Sequence, residues 1–155
     1  FEQALDSLFL KTQYWHGNEP GQQIPFLYNY VGAGKKTAAH VNDIRVTEYT
    51  TGPGGLCGND DAGQISAWYV FAAMGFYPVN PVAPEYAVTI PTFDSIVIHT
   101  GEHTTATIRV HNGNGTPLFI SRINKDGKKY NTTLLLHEDL MKGGVFDLYT
   151  GDGGE

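Results

Sequence analysis

The chain has 155 residues and a formal net charge of −6, which is about one domain's worth of polypeptide and too acidic to track a nucleic-acid backbone. Lys and Arg never cluster beyond the pairs Lys35-Lys36 and Lys128-Lys129, so no phosphate-binding stripe exists. With 41% hydrophobic and 17% charged residues the composition is globular rather than disordered, and no apolar run reaches the ~18–20 residues that cross a bilayer.

The opening stretch, "FEQALDSLFLKTQYW", has no initiator Met and no basic segment followed by an apolar one, so it is not a signal peptide. Phe1, Leu5, Leu8 and Phe9 fall near one stripe, which predicts a helix over 1–11. Beginning in the middle of a helical pattern, the chain reads as a fragment or processed piece of a longer protein. A polar loop, "YWHGNEPGQ", follows. A short helix is expected around 23–31, ended by "GAG", and another over 35–48, where Ala38, Val41 and Ile44 build one apolar face. Gly and Pro dominate "TTGPGGLCGN", which excludes regular structure there. The next helix is expected to start at Asp60 or Asp61 and stop at Gly75. It is apolar on nearly every side, as a buried helix is. Helix–loop–helix repetition around such a helix predicts a two-layer α/α arrangement.

The pattern changes near Pro78. "YAVTI", "SIVIHT", "TATIRVHN" and "LFISRINKDGKKYNTTLLL" read as short strands, with a hairpin turn at Asp126-Gly127. "HEDLMKGGVFDLYTG" reads as a turn feeding a last strand. Nothing in this half groups reactive side chains. The expected fold class is therefore α+β, with helices over 1–77 and a small antiparallel β unit over 78–155.

Two loops concentrate polar chemistry. In "GNDDAGQ", Asp61 and Gln64 have capping-box spacing, with an acid at the N-cap and Gln three residues later. A helix N-terminus also favours a deprotonated carboxylate, which is what a general base must be. Only one acid can occupy an N-cap, so Asp60 and Asp61 together exceed what capping requires. Capping and catalysis both stay open at this point. In "WHGNEPGQ", Asn18 and Glu19 lie between Gly17 and Pro20, beside Trp15 and His16. Their oxygens suit a hard cation such as calcium. The aromatic rings beside hydrogen-bonding groups suit a sugar, and a solvated turn with a core Trp is the plainer reading. His40, His99, His103, His111 and His137 show no metal-ligand spacing. The single cysteine, Cys57, excludes an internal disulfide. Asn114 and Asn131 head N-x-S/T acceptors, compatible with glycosylation and secretion or with unmodified surface asparagines. No P-loop, nucleophile elbow or dinucleotide fingerprint is present.

"HGNEPGQQIPFLYNYVGAGKKTA" followed by "GLCGNDDAGQISAWYVFAAMGFYPVNP" resembles the C-terminal part of glycoside hydrolase family 92, whose members are calcium-dependent, inverting exo-α-mannosidases. The resemblance implies an (α/α)6 catalytic barrel, of which residues 1–77 would supply the last helices, with 78–155 as a β-sandwich-like unit packed beside them. It implies that Asp61 is the general base, with Asp60 shaping the site, and that Asn18 and Glu19 belong to the sugar and calcium region. Trp15, His16, Glu19 and Gln64 would contact substrate, and Gln64 and Ser66 could hold the base or its water. Cys57 receives no chemistry. The family's general acid lies upstream of this region. No second acid here takes that role, Glu2 being at most a contact to the leaving-group sugar. The missing N-terminal part of the same enzyme is thus an implied partner, a mannose-containing glycan the implied substrate and the extracellular space the implied location. A sugar-binding fragment without catalysis is the alternative.

Overall fold

The computed structural model describes residues 1–112 and 117–151. Helix α1 (Glu2–Leu10) is followed by a 3-10 turn (Glu19–Gly21), a longer 3-10 helix (Ile24–Val31), and helices α2 (Gly34–Thr47) and α3 (Gln64–Met74). Strands β1 (Phe76–Tyr77), β2 (Glu85–Val88), β3 (Ser95–His99), β4 (Thr105–His111), β5 (Phe119–Lys125), β6 (Lys128–Tyr130) and β7 (Leu134–Leu136) come next. Helix α4 (His137–Met141) and strand β8 (Gly144–Gly151) complete the order. The α+β class holds, and the described helices close no barrel.

Several expectations need correction. The short helix expected over 23–31 is present as a 3-10 helix, with Pro25 tolerated in its first turn. Helix α3 starts at Gln64, not at the acids, because Asp61, Ala62 and Gly63 all take positive φ (41°, 59° and 92°) and cannot continue a right-handed turn. Its predicted stop is observed: Gly75, at φ 85°, donates to Phe71 and Ala72 carbonyls. The β half is not purely antiparallel. Its five-stranded sheet runs β3-β4-β8-β5-β6, and β8 pairs parallel to β4, from Ala106 opposite Gly144 to His111 opposite Tyr149. The chain can bring β8 alongside β4 in that direction because a long excursion through β5, β6, β7 and α4 separates them. The Asp126-Gly127 hairpin joins β5 to β6 as expected, both residues at positive φ.

A three-stranded sheet, β1-β2-β7, divides two cores. Strand alternation sends Phe76 and Val88 into one, with Ile108, Leu135, Phe146 and Leu148. It sends Tyr77 and Ala87 into the other, with Phe26, Val41, Ile44, Trp68 and Ala72. Phe71 of α3 packs against both. Helix α3 is only half covered: Ile65, Trp68 and Ala72 are buried, while Val70 on the opposite side is 54% exposed. Lys36 of α2 ties α1 down through Glu2 and Asp6, each at 2.7 Å.

Candidate active site

The turn before α3 separates the two adjacent acids. Asp60 bends back over the helix start, and its Oδ1 accepts the Ser66 N–H at 2.9 Å, while its carbonyl accepts the N–H groups of Gly63 and Gln64. Asp60 is therefore the acid that satisfies the helix end, a task the sequence assigns to Asp61. The N-cap position itself is held by Gly63, with no side-chain cap. Asp61 is left exposed at the tip of a left-handed turn. Such a backbone, with Ala62 also left-handed, costs about 1–2 kcal/mol per residue and is the kind of strain that concentrates at working sites.

What Asp61 meets is Glu19. The two carboxyls meet, and the Asp61 carboxyl above all holds Glu19 above the usual carboxylate range. Glu19 Oε1 is buried and has no partner among the described residues. Glu19's own backbone N–H offsets part of this, but two carboxylates in contact are costly while both are charged. A shared proton, a cation or a hydroxyl-bearing ligand would relieve that cost. Because the segments are far apart in sequence, only folding brings them together.

His16 precedes Glu19 by three residues and is enclosed by the helical core. It is 1% exposed and packs edge-on against Trp68, 4.2 Å between ring centres. Its Nδ1 and Nε2 lie 2.8 Å from the Tyr14 hydroxyl and 2.7 Å from that of Tyr49. Tyr49 gives its single proton to the Ile65 carbonyl at 3.0 Å, so its oxygen accepts from His16 Nε2–H, and Nδ1 accepts from Tyr14. Burial lowers the His16 pKa to about 4, in keeping with that neutral ring. No ring nitrogen is left for a substrate.

The remaining sequence candidates divide similarly. Trp15 is 59% exposed and lies against Gly17, where a Cβ would come within 2.6 Å of the indole. Asn18 is exposed, and its carbonyl accepts the Gly21 N–H. Gln64 points inward, its Nε2 donating to Gln22 Oε1 and the Tyr77 hydroxyl, both at 3.2 Å. Ser66 is exposed beside Asp60. Glu2 is engaged by Lys36. Asn131 is exposed between β6 and β7, and Asn114 lies outside the described residues. Sequence reasoning missed Gln22, fully buried with an unpartnered Nε2, and Tyr49. Neither stands out from its neighbours in the sequence; burial marks Gln22 and the bonds to His16 and Ile65 mark Tyr49.

The profile of the Glycosyl hydrolase family 92 catalytic domain matches residues 1–152. The chain belongs to that family. Among solved family 92 structures, an α-mannosidase from Bacteroides thetaiotaomicron superimposes with a TM-score of 0.86 at 32% identity, over 97% of this chain and 21% of its own. An inverting mannosidase from the same organism gives 0.78 at 36% identity, over 96% and 20%. An uncharacterized secreted glycosidase of Arthroderma benhamiae is 32% identical over 154 residues, 97% of this chain and 20% of its own. The chain thus spans about a fifth of the length of these relatives.

For this family 92 chain, the donor chemistry near Glu19 fits a hard cation in part. A buried, unpartnered carboxylate oxygen next to a second carboxylate is what oxygen-loving ions take. Among the described residues, though, no three His, Cys, Asp or Glu side chains gather around one point, so a cation here would need further ligands from outside them. No helix of the described residues is long and apolar enough to cross a membrane.

Proposed function

We propose that the chain is the C-terminal part of the catalytic unit of a secreted, inverting exo-α-mannosidase that removes terminal α-mannose from glycans. The observation that carries this is the contact between Glu19 and the uncapped Asp61. It pairs two carboxylates on opposite loops, while Asp60 meets the needs of the helix. Residues 1–77 would supply these loops and a section of barrel wall, and residues 78–155 would back them.

In this reading Asp61 is the general base. An inverting glycosidase needs an ionised carboxylate to take a proton from the attacking water, with the acid about 6.5–9.5 Å away across the sugar. Asp61 is exposed and its carboxylate bonds no backbone N–H of the helix among the described residues, so it is placed to accept that proton. Glu19, its carboxyl held against Asp61, orients it and, with Asn18, would hold a calcium ion. Such an ion supplies charge stabilisation to sugar hydroxyls. Trp15 offers an exposed aromatic face to a sugar ring. His16 and Gln64 serve the site from within the fold. The acid comes from the preceding polypeptide, which would also cover the exposed face of α3 around Val70.

The test is hydrolysis of an α-mannoside by the full-length enzyme, with the anomer of the released sugar followed by NMR. β-Mannose as first product supports inversion by a base; α-mannose refutes it. Chelation is expected to abolish turnover and calcium to restore it. The second reading, a mannose-binding fragment without hydrolysis, is favoured for the isolated chain because Glu2 is locked to Lys36. Calorimetry of the chain with mannose, with and without calcium, tests it.

A further inference from the structure

Glu19 and Asp61 sit on segments that share no secondary structure, yet their carboxyls meet. Two features fix the spacing. Gly17 and Gly58 lie backbone against backbone: a Cβ on Gly58 would fall 2.3 Å from the Gly17 carbonyl oxygen and 2.6 Å from its Cα. A Cβ on Gly17 would lie 2.8 Å from the Cys57 carbonyl oxygen. Neither glycine needs a positive φ, so closeness alone demands the missing side chains. One residue before Gly17, His16 begins the hydrogen-bond chain through Tyr49 to the Ile65 carbonyl, in the first turn of α3. The contact sets how near the two loops approach, and the hydrogen bonds set how they are turned. Apolar packing alone would let them slide, because dispersion has no direction whereas hydrogen bonds weaken steeply off axis.

We infer that His16 and Tyr49 are positioning residues, which hold the Glu19 loop in register with the Asp61 turn through the Gly17–Gly58 contact and touch no substrate themselves. This rests on the mannosidase reading for its effect on turnover, but not for its structural content.

The experiment uses the full-length enzyme with Tyr49→Phe, His16→Phe, the double variant and His16→Gln, whose amide N–H can replace the bond to Tyr49. Each breaking variant is expected to lower kcat about 10–100-fold, as a displacement of about 1 Å does, with KM within about threefold. The double variant should lose no more than the worse single one, because both break one chain. His16→Gln should recover a large part of the loss. Hydrogen exchange should quicken at 17–21 and 59–63 together in Tyr49→Phe, with β4 and β8 unchanged. Unaltered kcat, multiplied losses in the double variant, or a raised KM at constant kcat would overturn the inference. Should the wild-type enzyme hydrolyse no mannoside, the mannosidase reading falls, and exchange decides positioning alone. Unchanged exchange at 59–63 then sinks it.

Discussion

Three acids of the β half and the Glu19–Asp61 pair of the helical loops are treated in opposite ways. Asp147 receives His111 Nε2 at 2.7 Å. Asp139 accepts the Tyr130 hydroxyl at 2.9 Å and lies near Lys125 and Lys142, and the tyrosine bond above all holds its pKa below the usual value. Asp126 accepts the Val145 N–H. Across the helical loops, the Glu19 and Asp61 carboxyls meet each other, and Glu19 Oε1 is buried with no partner among the described residues. An acid that has donors is part of the scaffold. An acid pair pressed together with an unpartnered buried oxygen stays in a costly state unless something else binds, which is why the difference marks the working end of the molecule.

Several changes test that contrast, the largest first. Asp61→Asn in the full-length enzyme should cost about 10²–10⁴ in turnover while mannose binding persists, and Asp147→Asn should leave turnover within about twofold; steady-state kinetics on an α-mannoside compares them. Next, Trp68→Ala should destabilise the fold by about 3–5 kcal/mol in urea titrations, because Trp68 fills the helical core and bonds the Gln22 carbonyl at 2.8 Å. A pH effect follows from His16. Its folded pKa of about 4 lies below the ordinary 6.5, so the unfolded chain binds the proton more readily. The stability from His16 is therefore complete above the ordinary value and lost as pH falls toward the folded one. Its slope reaches about 1.4 kcal/mol per pH unit, and His16→Phe should flatten the urea midpoint against pH across that window. Smallest, Asp60→Ala should remove about 0.5–2 kcal/mol as a lost helix cap, visible as a lower urea midpoint. An equal loss from Asp61→Ala would erase the distinction between the adjacent acids.

Much of this was legible before folding. Gly75 as a helix stop and Asp126-Gly127 as a hairpin follow from residues that tolerate positive φ at least cost, so local sequence decides them. The motif blocks identified the family. What stayed hidden depends on tertiary contact. Capping-box spacing favours Asp61, yet three successive left-handed residues push the helix start to Gln64 and bring Asp60 over it instead. His16, beside a polar motif, reads as a ligand contact, yet Tyr14, Tyr49 and Trp68 enclose it. The parallel pairing of β8 with β4 was equally invisible, since a strand's sequence carries no mark of its neighbour's direction.

That pairing also sets an order of events. β8 lies between β4 and β5, so a growing chain presents both as open edges until β8 emerges. Their unpaired amides and carbonyls invite other chains meanwhile, and so long-range a closure is slow. Nascent polypeptide ending short of Gly144 should therefore aggregate through the cleft that β8 fills, and β8 supplied as a separate peptide should suppress it.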